Sequence, residues 1–153
     1  SFDTPDYSEV LAEEKEMIRK LKKVFLMVAG KAVQQFGPDL EEHQQLLLSA
    51  ADILIEVYMA ESAVLRAEKN ARRFGVEAQK TQIAMAQLYL YEAVDIVIRK
   101  GKEAIVSFAE GDEQRMMLMG LKRFTKYQNQ PNVAALRELI ADRVAEDNGY
   151  AFD

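Results

Sequence analysis

The residues best suited to chemistry in this 153-residue sequence are carboxylates that lie within apolar segments. Asp52 and Glu56 are four residues apart, so they would share one face of a helix. Glu92 and Asp95 are three residues apart and would do the same. Paired carboxylates can transfer protons, but no nucleophile constellation or phosphate-binding glycine loop lies near either pair in the sequence. We therefore expect an inter-helix ion-pair network formed by Asp52, Glu56, Glu61, Glu92, Asp95 and Arg99.

A metal site is the other chemistry that carboxylates in a helical bundle can support. A ferritin-like di-iron site needs the motif Glu-x-x-His twice, because ligands three residues apart share a helical face. The sequence has a single histidine, His43, and the residue three positions before it is Leu40. The motif therefore fails even once, and we expect no metal ligands in this chain. A metal-dependent bundle enzyme is the weakest of the functions considered.

A cluster of cations lies early in the sequence and consists of Arg19, Lys20, Lys22 and Lys23. The apolar residues 24–28 follow it directly. A basic amphipathic helix can bind an anionic membrane surface, so membrane or partner contact is one interpretation. A solvated helix face is the other, and it is the more common use of such a charge run.

Composition excludes several classes of protein. The absence of cysteine excludes disulfides, thiolate zinc sites and cysteine nucleophiles. A net charge of −5 argues against nucleic acid as the main partner. The longest apolar run, residues 46–60, contains carboxylates and is shorter than the roughly 20 residues of a membrane span. No secretory signal is visible at the amino end, and we expect a cytoplasmic location.

Helical periodicity runs through nearly the whole sequence and is interrupted by glycine and proline. Asp39 and Asn132 are predicted N-caps, and Gly101 is a predicted weak point or bend in the third helix. Short connections between long helices favour antiparallel neighbours. We therefore predict an all-α, up-down antiparallel bundle formed as a single domain over residues 1–153. The predicted helices run from the Thr4-Pro5-Asp6 entry to Gly37, then over 40–74, 77–110 and 112–124, and from 132 to about 148.

The second helix is the most distinctive of the three long ones. The segment from Leu40 to Asn70 contains no proline or glycine, and residues 46–60 are apolar almost all the way round. A helix that is apolar on every face is normally surrounded by other helices. We therefore predict that this helix is the central strut of the bundle.

Three blocks of sequence carry a family resemblance. The first is residues 24–32 (VFLMVAGKA), and the second begins with HQQLLL at residue 43 and runs on to residue 69. The third comprises residues 123–127 (RFTKY), 132–137 (NVAALR) and 140–142 (IAD). In this order they resemble the C-terminal extension of long bacterial acyl-CoA dehydrogenases, the relatives of the mitochondrial very-long-chain enzyme. The blocks are segments of similarity to the family and are not catalytic motifs.

The resemblance implies a parent flavoenzyme of fatty-acid β-oxidation. That family oxidises acyl-CoA thioesters to trans-2-enoyl-CoA, with FAD as the hydride acceptor and a glutamate as the base. Those sites belong to the preceding core, and no residue of this sequence matches their motifs. The resemblance therefore implies a fragment that is catalytically silent alone, with no catalytic, flavin-binding or metal residue of its own.

The resemblance also implies partners. The extension would rest against the core of the same polypeptide within a homo-oligomer, and in the mitochondrial enzyme it is associated with membrane contact. Peripheral contact with the inner membrane face of a bacterium is therefore an open expectation. The isolated chain should expose an apolar patch and associate with itself through it. The main alternative is a stand-alone helical module for protein–protein interaction.

Overall fold

Glycine and proline residues divide the chain into helices much as the sequence predicts. The computed structural model describes residues 9–149, so the predicted Thr4-Pro5-Asp6 helix entry lies outside the described residues. Residues 9–149 contain no strand, and the predicted all-α class is confirmed. The elements are α1 (Ala12–Phe36), a 3₁₀ segment (Gly37–Glu42), α2 (Gln44–Phe74), α3 (Lys80–Phe108), α4 (Gly111–Phe124) and α5 (Val133–Asp147).

The helix ends show which local signals the chain uses. Gly37 has a φ of 49°, a left-handed conformation that glycine adopts without a Cβ penalty, and α1 ends there. The Asn132 side chain accepts a hydrogen bond from the Ala135 N–H at 3.1 Å, so the predicted N-cap of α5 is confirmed. The predicted N-cap at Asp39 is wrong, because the chain around it forms the 3₁₀ segment and α2 begins only at Gln44.

Ion pairs between α1 and α2 show that the two helices are antiparallel. Lys15 Nζ lies 2.5 Å from a Glu68 carboxylate oxygen, and Lys22 pairs with Glu61 further along. Residue numbers therefore rise along α1 as they fall along α2. The turn between the helices is consistent with this direction, because it is a single short 3₁₀ segment.

Hydrogen bonds between α1 and α3 show that these helices are parallel. Gln87 Nε2 donates to Glu14 Oε2 at 3.2 Å near the start of α1. Gln35 Nε2 donates to the Phe108 carbonyl at 3.2 Å near its end. Both bonds join residues 73 positions apart, so the two helices keep one register along their length. With α2 antiparallel to α1, the first three helices run up, down and up.

Helix α4 completes an up-down arrangement beside α1. Lys31 lies 3.7 Å from Glu113, and Met27 lies against Gly120, where an added Cβ would come within 2.9 Å of the Met27 sulfur. The order of these contacts makes α4 antiparallel to α1. The predicted up-down antiparallel bundle is therefore confirmed for α1 to α4.

Gly101 lies where α3 and α4 cross. A Cβ at this position would lie 2.8 Å from Leu121 Cδ1, so glycine lets the Leu121 side chain pack directly against α3, and a larger residue would require that side chain to shift. Helix α3 runs through Gly101 without interruption. The predicted weak point is instead a packing site, because the glycine is buried against Leu121.

The core lies between α1, α2 and α3 and is closed by α4. Each helix contributes a buried stripe at helical spacing. Fully burying one such side chain contributes about 1.5–3 kcal/mol. The largest fully buried side chains are Leu21, Val24, Val28, Ile53, Val64, Leu90, Val97 and Ile105.

Helix α2 is not surrounded by other helices within residues 9–149, and that prediction is wrong. Its buried stripe, which includes Ile53, Val57 and Val64, faces α1 and α3. Because both neighbours pack on the same side, the opposite face of α2 is exposed. The apolar residues on every side of α2 therefore predicted more neighbouring helices than the described residues provide.

Candidate interaction surface

The outward face of α2 is an exposed apolar surface. Large apolar side chains recur at helical spacing along it and are between 47% and 67% exposed. From the first to the last, they span about 25 Å at 1.5 Å per residue. We call this surface the α2 apolar face and define it by Leu48, Leu54, Ile55, Tyr58, Met59 and Leu65.

The acids within this stretch of α2 lie at its flanks. Asp52 Oδ2 is 3.4 Å from Lys100 Nζ of α3, and Glu61 pairs with Lys22 of α1. The third acid, Glu56, accepts a long hydrogen bond of 3.5 Å from the Tyr89 hydroxyl. Since these are the only charged residues between positions 48 and 65, the outward face itself carries no charge.

Exposed apolar residues of α1 widen this surface. Leu26 is 66% exposed and lies four residues after Lys22. Because α1 and α2 are antiparallel, Leu26 is level with Val57, four residues before Glu61. Val33 is 56% exposed and lies two turns further along α1. The apolar surface therefore extends from α2 towards α1.

The remaining residues of the predicted ion-pair network lie on α3. Glu92 is 3.9 Å from Arg137 of α5, whereas Asp95 and Arg99 form no ion pair within residues 9–149. The structure thus brings Asp52, Glu61 and Glu92 to cations of three different helices. It does not bring the predicted set together as one connected network in the described part of the chain.

The basic cluster of α1 is largely engaged inside the chain. Arg19 Nε donates to Glu16 Oε2 at 2.8 Å. The Lys20 ammonium donates to the Lys126 carbonyl beyond α4, and burial lowers the pKa of Lys20. Both side chains therefore serve contacts within the bundle.

The other two cations of the cluster also contact neighbouring helices. Lys22 pairs with Glu61 of α2, and Lys23 Nζ lies 5.8 Å from the centroid of the Phe124 ring. All four side chains thus have contacts within the chain while Arg19, Lys22 and Lys23 remain exposed, and membrane or partner contact stays a prediction. No helix within residues 9–149 is long and apolar enough to cross a membrane.

His43 occupies a structural position at the start of α2. Its ring stacks on the Phe36 ring at the end of α1, with centroids 3.6 Å apart and an angle of 23° between the planes. It is the N-cap residue of α2, although its side chain makes no capping hydrogen bond. In the described part of the chain, no group of three or more His, Asp or Glu side chains is arranged to hold a metal ion.

A cavity beside α1 is a feature that the sequence did not indicate. It is partly open to solvent, has a volume of about 400 Å³, and lies between α1, α3 and the connection from α4 to α5. Glu14, Gln87 and Tyr127 line it. No sequence signal links these residues, because the fold alone brings the connection over the start of α1.

Comparisons with known proteins agree with the predicted resemblance. The family model described as "Acyl-CoA dehydrogenase, C-terminal domain" matches residues 20–123. A probable acyl-CoA dehydrogenase of Bacillus subtilis (strain 168) is 34% identical over 134 residues, which cover 88% of this chain and 23% of that protein. The crystal structure of a Bacillus anthracis acyl-CoA dehydrogenase complexed with FAD superimposes with a TM-score of 0.86 at 36% identity.

The match to the Bacillus anthracis structure covers 91% of this chain but only 24% of the larger protein. The chain thus spans about a quarter of the length of either relative. The family match, the relative and the superposition all support the predicted family. The chain belongs to the acyl-CoA dehydrogenase C-terminal domain family.

Proposed function

We propose that this chain is the accessory and assembly domain of an FAD-dependent acyl-CoA dehydrogenase of fatty-acid β-oxidation. The parent enzyme would desaturate acyl-CoA thioesters between the α and β carbons. Family membership and the FAD-bound state of the Bacillus anthracis relative support this proposal. The domain itself would be catalytically silent and would act through its surfaces, in a bacterial cytoplasm.

The α2 apolar face is the observation that carries the proposal. A strip about 25 Å long and one helix diameter of about 10 Å wide covers on the order of 250 Å², and Leu26 and Val33 enlarge it. Contiguous apolar patches of a few hundred Å² mark interaction sites on soluble proteins. The residues are not needed to complete the bundle core, because the core is filled by the opposite stripe of α2.

The proposed occupant of the α2 apolar face is the dehydrogenase core of the same polypeptide. Both relatives contain about three times as much additional chain as the matched region. An uncharged apolar face suits a permanent contact, since permanent interfaces resemble a domain core cut in half. The acids at its flanks would hold α2 in register with α1 and α3.

Binding in trans tests this proposal. The dehydrogenase core and this chain are expressed as separate polypeptides, and their association is measured by analytical ultracentrifugation. The double variant Ile55→Glu/Tyr58→Glu should abolish association, because two carboxylates would be buried without partners. The matched control is Met116→Glu/Met119→Glu on α4, which has the same three-residue spacing and residues that are 72% and 69% exposed.

The outcomes of this experiment are distinct. Equal loss in both double variants would show that added charge, not the α2 apolar face, is responsible. Retained binding in the α2 variant would exclude this face as the docking site. Self-association of the isolated chain that the core does not displace would favour the alternative of a stand-alone interaction module. An upstream coding sequence without a dehydrogenase core would also favour that alternative.

A further inference from the structure

The cavity beside α1, which we call the Glu14 cavity, has walls from α1, α3, the connection between α4 and α5, and the start of α5. Glu14 and Lys20 come from α1, Gln87 comes from α3, and Tyr127 comes from the connection between α4 and α5. Its volume of about 400 Å³ lies within the range of 300–1,000 Å³ that is usual for ligand pockets. It is therefore large enough to hold the end of a side chain or a small molecule.

Glu14 brings to this cavity a carboxylate that forms no ion pair within residues 9–149. Its Oε2 accepts a hydrogen bond of 3.2 Å from Gln87 Nε2. Burial raises the pKa of Glu14, and the neighbouring Glu13 carboxylate adds to this effect. A half-buried carboxylate in this position is poorly solvated and favours a positively charged partner.

Tyr127 brings a second unsatisfied group to the same cavity. Its hydroxyl oxygen is buried and has no hydrogen-bond partner among the described residues. Its ring stacks on Tyr91 with centroids 6.1 Å apart, which holds the side chain in place. Burial, followed by the charge of Glu14, raises the pKa of Tyr127, so its hydroxyl remains protonated at neutral pH. A buried polar group left without a partner costs about 1–3 kcal/mol.

The cations nearest to the cavity are already committed to other contacts. The Lys20 ammonium donates to the Lys126 carbonyl and so holds the start of the connection. The Arg19 guanidinium is bound to Glu16, which also lines the cavity. Glu13 accepts a hydrogen bond from Asn129. Glu14 therefore forms no ion pair among the described residues, although Lys20 lies in the same cavity wall.

We propose that the Glu14 cavity binds a guanidinium or alkylammonium group. One such group would pair with the Glu14 carboxylate and donate a hydrogen bond to the Tyr127 hydroxyl oxygen, so it would satisfy both groups at once. A guanidinium is especially suitable, because its planar set of five N–H donors can serve two acceptors together. The Glu13 and Glu14 carboxylates disfavour an anion. The group comes either from an arginine or lysine side chain elsewhere in the assembled protein or from a free small cation.

The test uses N-acetyl-L-arginine amide and its neutral isostere N-acetyl-L-citrulline amide. Each is titrated into ¹⁵N-labelled chain, and backbone amide shifts are followed by NMR. The arginine probe should give saturable shifts at Gln87 and Tyr127, and the citrulline probe should bind at least tenfold more weakly because it lacks the charge. Equal binding of the two probes, or no saturable binding of either, would overturn the proposal.

Three variants separate a binding role from a structural one. Glu14→Gln should weaken the arginine probe at least tenfold, and the control Glu42→Gln at the opposite end of the bundle should leave its Kd unchanged. Tyr127→Phe should weaken the probe about threefold, while the folding midpoint of the free chain stays the same or rises. A fall in that midpoint, or unchanged binding in Glu14→Gln, would count against the site.

A second titration distinguishes the two sources of the cation. In the full-length dehydrogenase, a resident side chain would block the arginine probe, whereas a free cation would leave the cavity open to it. Only this titration of the full-length protein rests on the proposed function. The titration of the isolated chain does not depend on a dehydrogenase core, so a failure of the site and a failure of the proposed function remain separable.

Discussion

Helices α2 and α3 are similar in length and pack against each other, yet their outward faces differ. They have 31 and 29 residues, and both bury an apolar stripe in the core. The outward face of α2 is apolar around Ile55 and Tyr58, whereas that of α3 carries exposed charges at Asp95, Arg99 and Lys102. Helix α3 contributes a buried stripe to the core while its outward face is charged. By comparison, the second apolar face of α2 is not needed for folding. This face is the one that we propose for association.

Two isoleucines of α2 give the largest expected contrast. Ile53 is fully buried, and Ile55 is 57% exposed. Ile53→Ala should lower the free energy of unfolding by about 2–5 kcal/mol through the cavity it leaves. Ile55→Ala should change it by no more than about 0.5 kcal/mol but weaken association with the core. Denaturant unfolding of the monomeric chain measures the first effect, and similar losses for both variants would refute the distinction between the two faces.

Two glycines allow a comparison between a buried helix contact on α3 and an exposed position on α1. Gly101→Ala adds a Cβ that would lie 2.8 Å from Leu121 Cδ1, and overpacking of about 1–3 kcal/mol should exceed the helix-propensity gain of about 1 kcal/mol. We expect a net loss of about 1 kcal/mol. Gly30→Ala, in open space on α1, should instead gain about 0.5–1 kcal/mol. Thermal unfolding of both variants measures these effects, and a gain at Gly101 would mean that the Leu121 side chain can shift to accept the added Cβ.

Glu14 allows a test of how a half-buried carboxylate beside α3 changes the stability of the fold with pH. Burial raises its pKa in the folded chain, so ionised Glu14 destabilises the fold at neutral pH. Glu14→Gln should raise the folding midpoint at pH 7 by less than the Gly101 effect. This advantage should disappear as pH falls through the folded pKa to below the ordinary value of 4.5. Melting curves from pH 3 to 8 measure it, with Glu42→Gln as the control for net charge.

The smallest expected effect comes from the acids at the border of the α2 apolar face. Asp52 and Lys100 are 3.4 Å apart and partly exposed, and pairs of this kind contribute about 0.2–1 kcal/mol. A double-mutant cycle with Asp52→Asn and Lys100→Met should give a coupling in the lower half of that range. A coupling free energy near zero would mean that packing alone determines the orientation of α2.

The sequence predicts the helices well and their surroundings poorly. Glycine signals place the end of α2 at Phe74, before Gly75, and the start of α4 at Gly111, because these signals act on the local backbone. The exposed face of α2 could not be predicted in this way. Apolar side chains recur with the same helical period whether they face the core of their own chain or a partner.

The cavity and the ion pairs were beyond sequence reasoning for a different reason. Glu14, Gln87 and Tyr127 are far apart in sequence and meet only when α1, α3 and the last connection are assembled. The cations that pair with Asp52, Glu61 and Glu92 lie on three separate helices. A list of charged residues cannot show which helix will lie beside which.

The constant offset of 73 residues between α1 and α3 makes the bundle intolerant of changes in length. Between Glu14 and Gln35 the helix rises about 32 Å at 1.5 Å per residue. One residue inserted there would rotate every later side chain by about 100° and carry buried side chains of α1 out to solvent. The exposed connection at residues 75–79 has no such constraint. Epitope tags, fluorophores or crystallisation fusions therefore belong in that connection and not within α1 or α3.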